Sequence, residues 1–333
     1  MHMSLNRKQV SNVSSKVSTD SHNVSFSISK LKKEESSEKA NMYDFKKYMT
    51  SANFSFDEKV RERIPKNTPP YLDNGERYVE RIIRAMAYFK QCALIGPSGT
   101  GKTHIVYLVA ELLDLPLWEI NCGLQTSVFD LFGRYIGLGK ENWIDGLITD
   151  WCRYGGILYL DEANMMKQDV ATRLNPILDT RGHMVLTEKD NELIKRHKDA
   201  FLIISMNPFS SEFAGTKPIN AAMRRRMSVW LNFDYMSIGD KIDEKEIKLV
   251  TEAGKISVAD AETIVKIGAR LRQDYKSGEL PYGPSVGDLV NWAKIASDGA
   301  SLEEAGVETI VSMTSDDHEV QDEVKKIIKK FVG

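Results

Sequence analysis

The chain has 333 residues, with 45 Lys and Arg against 47 Asp and Glu, a formal net charge of -2. Its length exceeds one ordinary domain and suffices for a sizeable core, so two folded units and a tail are expected. The charge balance leaves no basic excess for a polyanion, which disfavours nucleic acid as a partner. No apolar run approaches the ~18 residues that span a bilayer, so a cytoplasmic protein without a membrane span is expected.

Residues 1 to about 41 are rich in Ser, Asn and Lys and poor in large apolar groups, which predicts a disordered tail. Aromatics enter between Met42 and Pro65, and Pro65, Pro69 and Pro70 break any helix before Tyr71, so this stretch reads as a linker strapped onto a domain. Tyr78, Ile82, Met86 and Phe89 then follow helical spacing across 76–90. Strands are predicted at 92–95, 115–121, 157–160, 201–206 and 229–233. Their alternation with helical patterns implies an α/β fold with a parallel, doubly wound sheet. Beyond Tyr235 the strand pattern stops. Ser257, Ser285 and Ser301 each precede an acid by three residues (Asp260, Asp288, Glu304), the signature of capped helix starts. The expected division is a tail and linker over 1–60, an α/β nucleotide-binding domain over 61–236, and a helical lid with C-terminal helices over 237–333. Cys92, Cys122 and Cys152 lack Cys-x-x-Cys spacing and read as buried thiols.

The run Gly96, Pro97, Ser98, Gly99, Thr100, Gly101, Lys102, Thr103 matches the P-loop pattern between a predicted strand and a helix over 104–113. Its glycines let backbone N–H groups turn around phosphate oxygens, above a helix N-terminus that carries partial positive charge. Lys102 would neutralise the β and γ phosphates of ATP, and Thr103 would offer a hydroxyl to Mg²⁺. The apolar strand at 157–160 delivers Asp161 and Glu162 at its C-terminal end, where open α/β sheets bind ligands. Asp161 suits the metal shell; Glu162, facing differently, suits a base that activates water. A third strand ends at Asn207, before Pro208, as either a γ-phosphate contact or a turn cap. Arg224, Arg225 and Arg226 follow on a short predicted helix, either as a solvated face or as a group that reaches a neighbouring subunit's nucleotide.

In this order the elements resemble an AAA+ ATPase of the MoxR group, and within it the CbbQ/NirQ/NorQ/GvpN branch, over about 78–295. The branch-specific words are Glu119 to Cys122, Asp130 to Tyr135, Trp143 to Gly146, and Lys217 with Pro218 before the arginines. The resemblance implies a homo-hexamer with ATP between subunits, working with a von Willebrand factor A domain protein to activate or mature a client enzyme or assembly. It implies that Lys102 and Thr103 bind nucleotide and Mg²⁺, and that Asp161 and Glu162 form the Walker B pair. Asn207 becomes sensor 1, and Arg226 the arginine finger, with Arg225 as the alternative. The lid arginine usual in the family is replaced by Gly287, with Lys294 a candidate substitute. Tyr135, Leu138 and Trp143 fall in a pore-side insert, and 186–198 in an inserted hairpin. A nucleic-acid motor, loader or restriction-type subunit is the competing class.

Overall fold

The computed structural model describes residues 40–123, 126–137, 142–208 and 218–333; most of the expected tail, together with Leu138 and Lys217, lies outside them. Met1–Asp44 and Phe45–Gly333 form separate compact units. Within the first, residues 40 and 41 are helical and a turn follows.

The second unit begins with a packed strap where the sequence suggested a linker. Phe54 meets Phe201 edge-on at 5.8 Å, the Arg63 guanidinium lies 4.2 Å from the Trp118 ring, and Arg63 O accepts the Leu117 N–H. Aromatic area of this kind offsets the entropy of ordering a segment whose regular structure is limited to two short helical turns, Ser51–Asn53 and Glu58–Arg61. Helix α1 (Tyr78–Phe89) starts where the Asp73 carboxylate takes the N–H groups of Gly75, Arg77 and Tyr78, and stops at Lys90 in a left-handed turn.

Strand β1 (Gln91–Ile95) leads into the glycine-rich loop and α2 (Lys102–Leu112). Next come β2 (Leu117–Asn121), α3 (Val128–Phe132), a hairpin of β3 (Gly133–Tyr135) and β4 (Trp143–Asp145), α4 (Leu147–Tyr154) and β5 (Gly156–Asp161). Helix α5 (Gln168–Leu178) precedes a second hairpin, β6 (His183–Leu186) with β7 (Glu192–Lys195), which overlaps the expected 186–198 stretch but begins and ends three residues earlier. Strand β8 (Ala200–Met206), α6 (Ala221–Arg226) and β9 (Trp230–Asn232) complete this half. The strand predicted from Leu115 starts at Leu117, because the Leu115 N–H still caps α2 by donating to Ala110 O.

All five central strands are parallel, in the order β2-β5-β8-β1-β9. Helices cover both faces, so β8 is buried at every position and reads as a continuous apolar run rather than an alternating one. Trp118 and Trp151 fill the core, and their indole N–H groups donate to Gly155 O and Gly156 O, so neither buried donor is wasted.

The lid comprises α7 (Glu244–Gly254), α8 (Val258–Ser277), α9 (Val286–Ser297), α10 (Leu302–Gly306), which runs on through further helical turns to Thr314, and α11 (His318–Val332). Asp243, Ser257, Ser285, Ser301 and Asp317 cap their N-termini, each such cap being worth about 1 kcal/mol. The lid has its own core, centred on Leu271, Leu289, Trp292 and Ile328. All three cysteines are buried, and burial raises each thiol well above its usual range.

Candidate functional site

Since β8 lies between β1 and β5, the loops at the C-terminal ends of three adjacent strands converge. Lys102, Thr103, Asp161, Glu162 and Asn207, from three loops, thereby line one cavity of about 290 Å³, closed on the lid side by Ser285. The expected P-loop, Asp-Glu and asparagine positions therefore face a common space.

Two glycines of the loop adopt conformations that side chains resist, φ +74° at Gly99 and +82° at Gly101. Crowding adds to this: a Cβ on Gly99 would sit 2.3 Å from Ser285 Cβ, and one on Gly101 would sit 2.8 Å from the Tyr71 ring. Lys102 opens α2 and folds back over the loop, its Nζ donating to Gly96 O at 2.8 Å and Pro97 O at 2.7 Å, with Asn207 Oδ1 at 3.3 Å. Burial lowers the Lys102 ammonium to about 8, against the opposing pull of Asp161 and Glu162. An ammonium so desolvated gains from further negative charge, and the anionic oxygens of a polyphosphate supply it.

On the acid side, Thr103 Oγ1 lies 3.2 Å from Asp161 Oδ2 and 3.1 Å from the Tyr159 hydroxyl. Tyr159 donates to Ser205 Oγ at 3.0 Å, and Ser205 donates in turn to Asp161 Oδ1. Burial pushes the Tyr159 phenol far above its ordinary range, so it remains a donor. The Asp161 carboxylate is thus held in one orientation with Oδ2 toward Thr103. A hydroxyl beside a carboxylate suits a hard cation that also takes phosphate and water oxygens, as Mg²⁺ does. Among the described residues no group of three or more His, Cys, Asp or Glu is arranged for a metal, so such a cation would need the nucleotide's own oxygens. Glu162 adopts a left-handed φ 51°, ψ 42°, with its N–H on Asp161 Oδ1, and its exposed side chain lines the same cavity as Asp161.

A second, more apolar cavity of about 580 Å³ adjoins the loop between Pro69, Tyr71, Leu249, Val290 and Gly287. Gly287 brings no side chain to it; the exposed Lys294 lies on its wall. Tyr235 ties the two halves together, its hydroxyl 3.3 Å from both Ser98 O and Gly283 O.

Among the described residues, no arginine lines either cavity. Arg225 is exposed, and Arg226 pairs with Asp179 of its own subunit at 3.3 Å. Tyr135 and Trp143 pack on each other across the β3–β4 hairpin at 5.1 Å, with Trp143 half-buried against the core and Tyr135 37% exposed. The sequence reading missed Tyr159, Ser205, Tyr235 and Ser285. The first two were within reach: in a strand, residues two apart share a face, so Tyr159 accompanies Asp161, and Ser205 accompanies Asn207.

Comparison with known proteins adds a second line of support. Residues 91–227 match the AAA domain (dynein-related subfamily), and 246–331 match the CbbQ/NirQ/NorQ C-terminal family. The denitrification regulatory protein NirQ of Pseudomonas aeruginosa is 31% identical over 252 residues, 75% of this chain and 92% of that one. Protein NorQ of Paracoccus denitrificans is 28% identical over 268 residues, covering 80% and 95% of the two chains. Protein CbbQ of Hydrogenophilus thermoluteolus is 29% identical over 242 residues, covering 72% and 86%. Matches that run through both the sheet and the lid, over nearly the whole of each relative, mean that the chain is a nucleotide-binding AAA+ ATPase and belongs to the CbbQ/NirQ/NorQ branch of the MoxR group.

Proposed function

We propose that this ATPase works as a homo-hexameric ring with Mg²⁺·ATP between subunits, and that with a von Willebrand factor A domain partner it remodels a client enzyme or assembly in the cytoplasm. One observation carries the ring: among the described residues the cavity gathers a lysine, a threonine, two acids and an asparagine but no arginine, while Arg225 and Arg226 lie elsewhere on the same subunit. An arginine near the transferring phosphate is worth ~10³ to 10⁵ in rate, and here another subunit is its natural source. The remodelling role is supported by kinship with a protein named for regulating denitrification.

Within the site, Lys102 and the loop's backbone N–H groups from Ser98 to Thr103 bind the phosphates, and Thr103 with Asp161 would hold Mg²⁺. The metal, when bound, neutralises charge that develops on the phosphates. Glu162 orients and deprotonates the attacking water, and Asn207, 3.3 Å from Lys102 Nζ, stands where it can position that water or the γ-phosphate. Arg226 of the neighbouring subunit, or Arg225 beside it, stabilises the transition state.

The test is a native pull-down with Glu162→Gln held in Mg²⁺·ATP, read by mass spectrometry. A von Willebrand factor A protein with its client is the expected catch; DNA-processing subunits in its place would overturn the remodelling role. Arg226→Ala should bind ATP without hydrolysing it, and mixing with Lys102→Ala subunits should partly restore turnover.

A further inference from the structure

Arg226 is held unevenly. Its backbone is fixed: the carbonyl accepts from Gln91 Nε2, which also donates to Leu178 O at 3.3 Å, so the first residue of β1 joins the ends of α5 and α6. Gln91 is buried, 6% exposed, and its amide oxygen faces Arg196 Nη1 at 3.5 Å. The side chain is held less well. Nη1 donates to Ala222 O at 2.9 Å, Nη2 reaches Asp179 Oδ2 at 3.3 Å, and Nε is buried with no hydrogen-bond partner. Buried donors are almost always satisfied, and an orphan on a long, partly exposed side chain marks a position that is not its best one.

Asp179 is itself shared. It caps the C-terminal end of α5, and Arg181 claims it first, with Nη2 at 2.7 Å from Oδ2, Nε at 3.1 Å from Oδ1, and its backbone N–H at 2.9 Å. These contacts leave the carboxylate largely neutralised, and they hold it well below the usual carboxylate range. Arg226 thus rests on an anion already satisfied by another cation, at longer distance and with one N–H idle. A more highly charged and less shared anion would take it away.

We propose that Asp179 is a positioning residue for Arg226, parking the guanidinium within its own subunit until the γ-phosphate of the neighbour's ATP displaces it, with Arg181 setting how firmly it is parked. This rests on Arg226 acting across the interface. Gln91 fixes the pivot: the backbone stays on β1, the strand that feeds the subunit's own P-loop, while only the side chain changes partner.

Two substitutions should act in opposite directions. Asp179→Asn removes the resting partner and should raise kcat/KM for ATP by roughly two- to fivefold, the factor that corresponds to a partly exposed ion pair. Arg181→Ala leaves Asp179 wholly to Arg226 and should lower it by a similar factor. A merely structural Asp179 would lose activity in both. The decisive experiment uses mixed rings of wild-type and Lys102→Ala subunits, the latter supplying arginines but no working site. Placing Asp179→Asn on the Lys102→Ala subunits should increase turnover at the wild-type sites; unchanged or reduced turnover overturns the parking role. Arg226→Ala on those same subunits is the companion arm. If it leaves the wild-type sites unaffected, the arginine does not act across the interface and the parking role falls with it.

Discussion

Glu246→Gln should destabilise the lid severely, because Glu246 is half of an ion pair shut entirely away from water. Arg272 and Glu246 are both 0% exposed. The carboxylate accepts Arg272 Nη2 at 2.8 Å, Arg272 Nη1 at 3.1 Å and the Ser237 N–H at 3.0 Å, while Arg272 also donates to Ser237 O and Pro284 O. An amide keeps one acceptor oxygen but turns an NH₂ toward a guanidinium and leaves the buried charge uncompensated. Breaking such a pair costs about 3–5 kcal/mol. For a unit spanning Phe45–Gly333, unfolding entropy of ~2.1 cal/mol/K per residue gives about 1.6 °C per kcal/mol, so the melting temperature should fall by roughly 5–8 °C. Calorimetry against Asp234→Asn provides the scale, since Lys276 and Asp234 pair at 2.5 Å on the surface and should contribute less than about 1 kcal/mol. The double variant Glu246→Leu/Arg272→Met should be more stable than either single one. A Glu246→Gln protein that melts with wild type would refute the reasoning.

Glu162→Gln should lower ATP turnover by ~10² to 10⁴ with nucleotide affinity kept; near wild-type turnover in a phosphate-release assay would show that another group is the base. Lys102 has a folded pKa lowered to about 8, so the free protein loses this proton above pH 8, and bound triphosphate, which favours the charged form, takes it back. Affinity should therefore fall about tenfold between pH 7 and pH 9, and a flat titration with a fluorescent ATP analogue would contradict the burial argument. Gly99→Ala meets both a left-handed backbone, ~1–2 kcal/mol, and Ser285 Cβ at 2.3 Å. Nucleotide affinity should drop, and Ser285→Gly added to it should restore part of the loss; no recovery would mean that the lid contact is not the cause.

The legible parts of this sequence were those with a strong local rule. Gly96 to Thr103 has a fixed spacing, Asp161 and Glu162 end an apolar run, and Ser257, Ser285 and Ser301 announce helices that each indeed begin with them. The β3–β4 hairpin was hidden because each strand has three residues and glycines at 133, 137 and 139 read as loop. Helix α5 carries Pro176 near its end, which breaks the pattern a reader follows. Contacts set by strand order were out of reach: that Asp179, Arg226 and Gln91 meet depends on β8 being inserted beside β1, which no local signal states.

The Tyr235 hydroxyl, within 3.3 Å of one carbonyl on the P-loop and one on the lid, acts as a fulcrum. Helix α8 extends from this point, since Tyr275 near its C-terminal end touches the Tyr235 ring at 6.4 Å. From Tyr275 to Val258 the helix is roughly 25 Å long at 1.5 Å per residue. A lid rotation of about 10° about this point would carry the far end of an arm this long by roughly 4 Å. A small angular change beside the phosphate pocket would thus be delivered as a displacement of several ångströms at the opposite end of the lid.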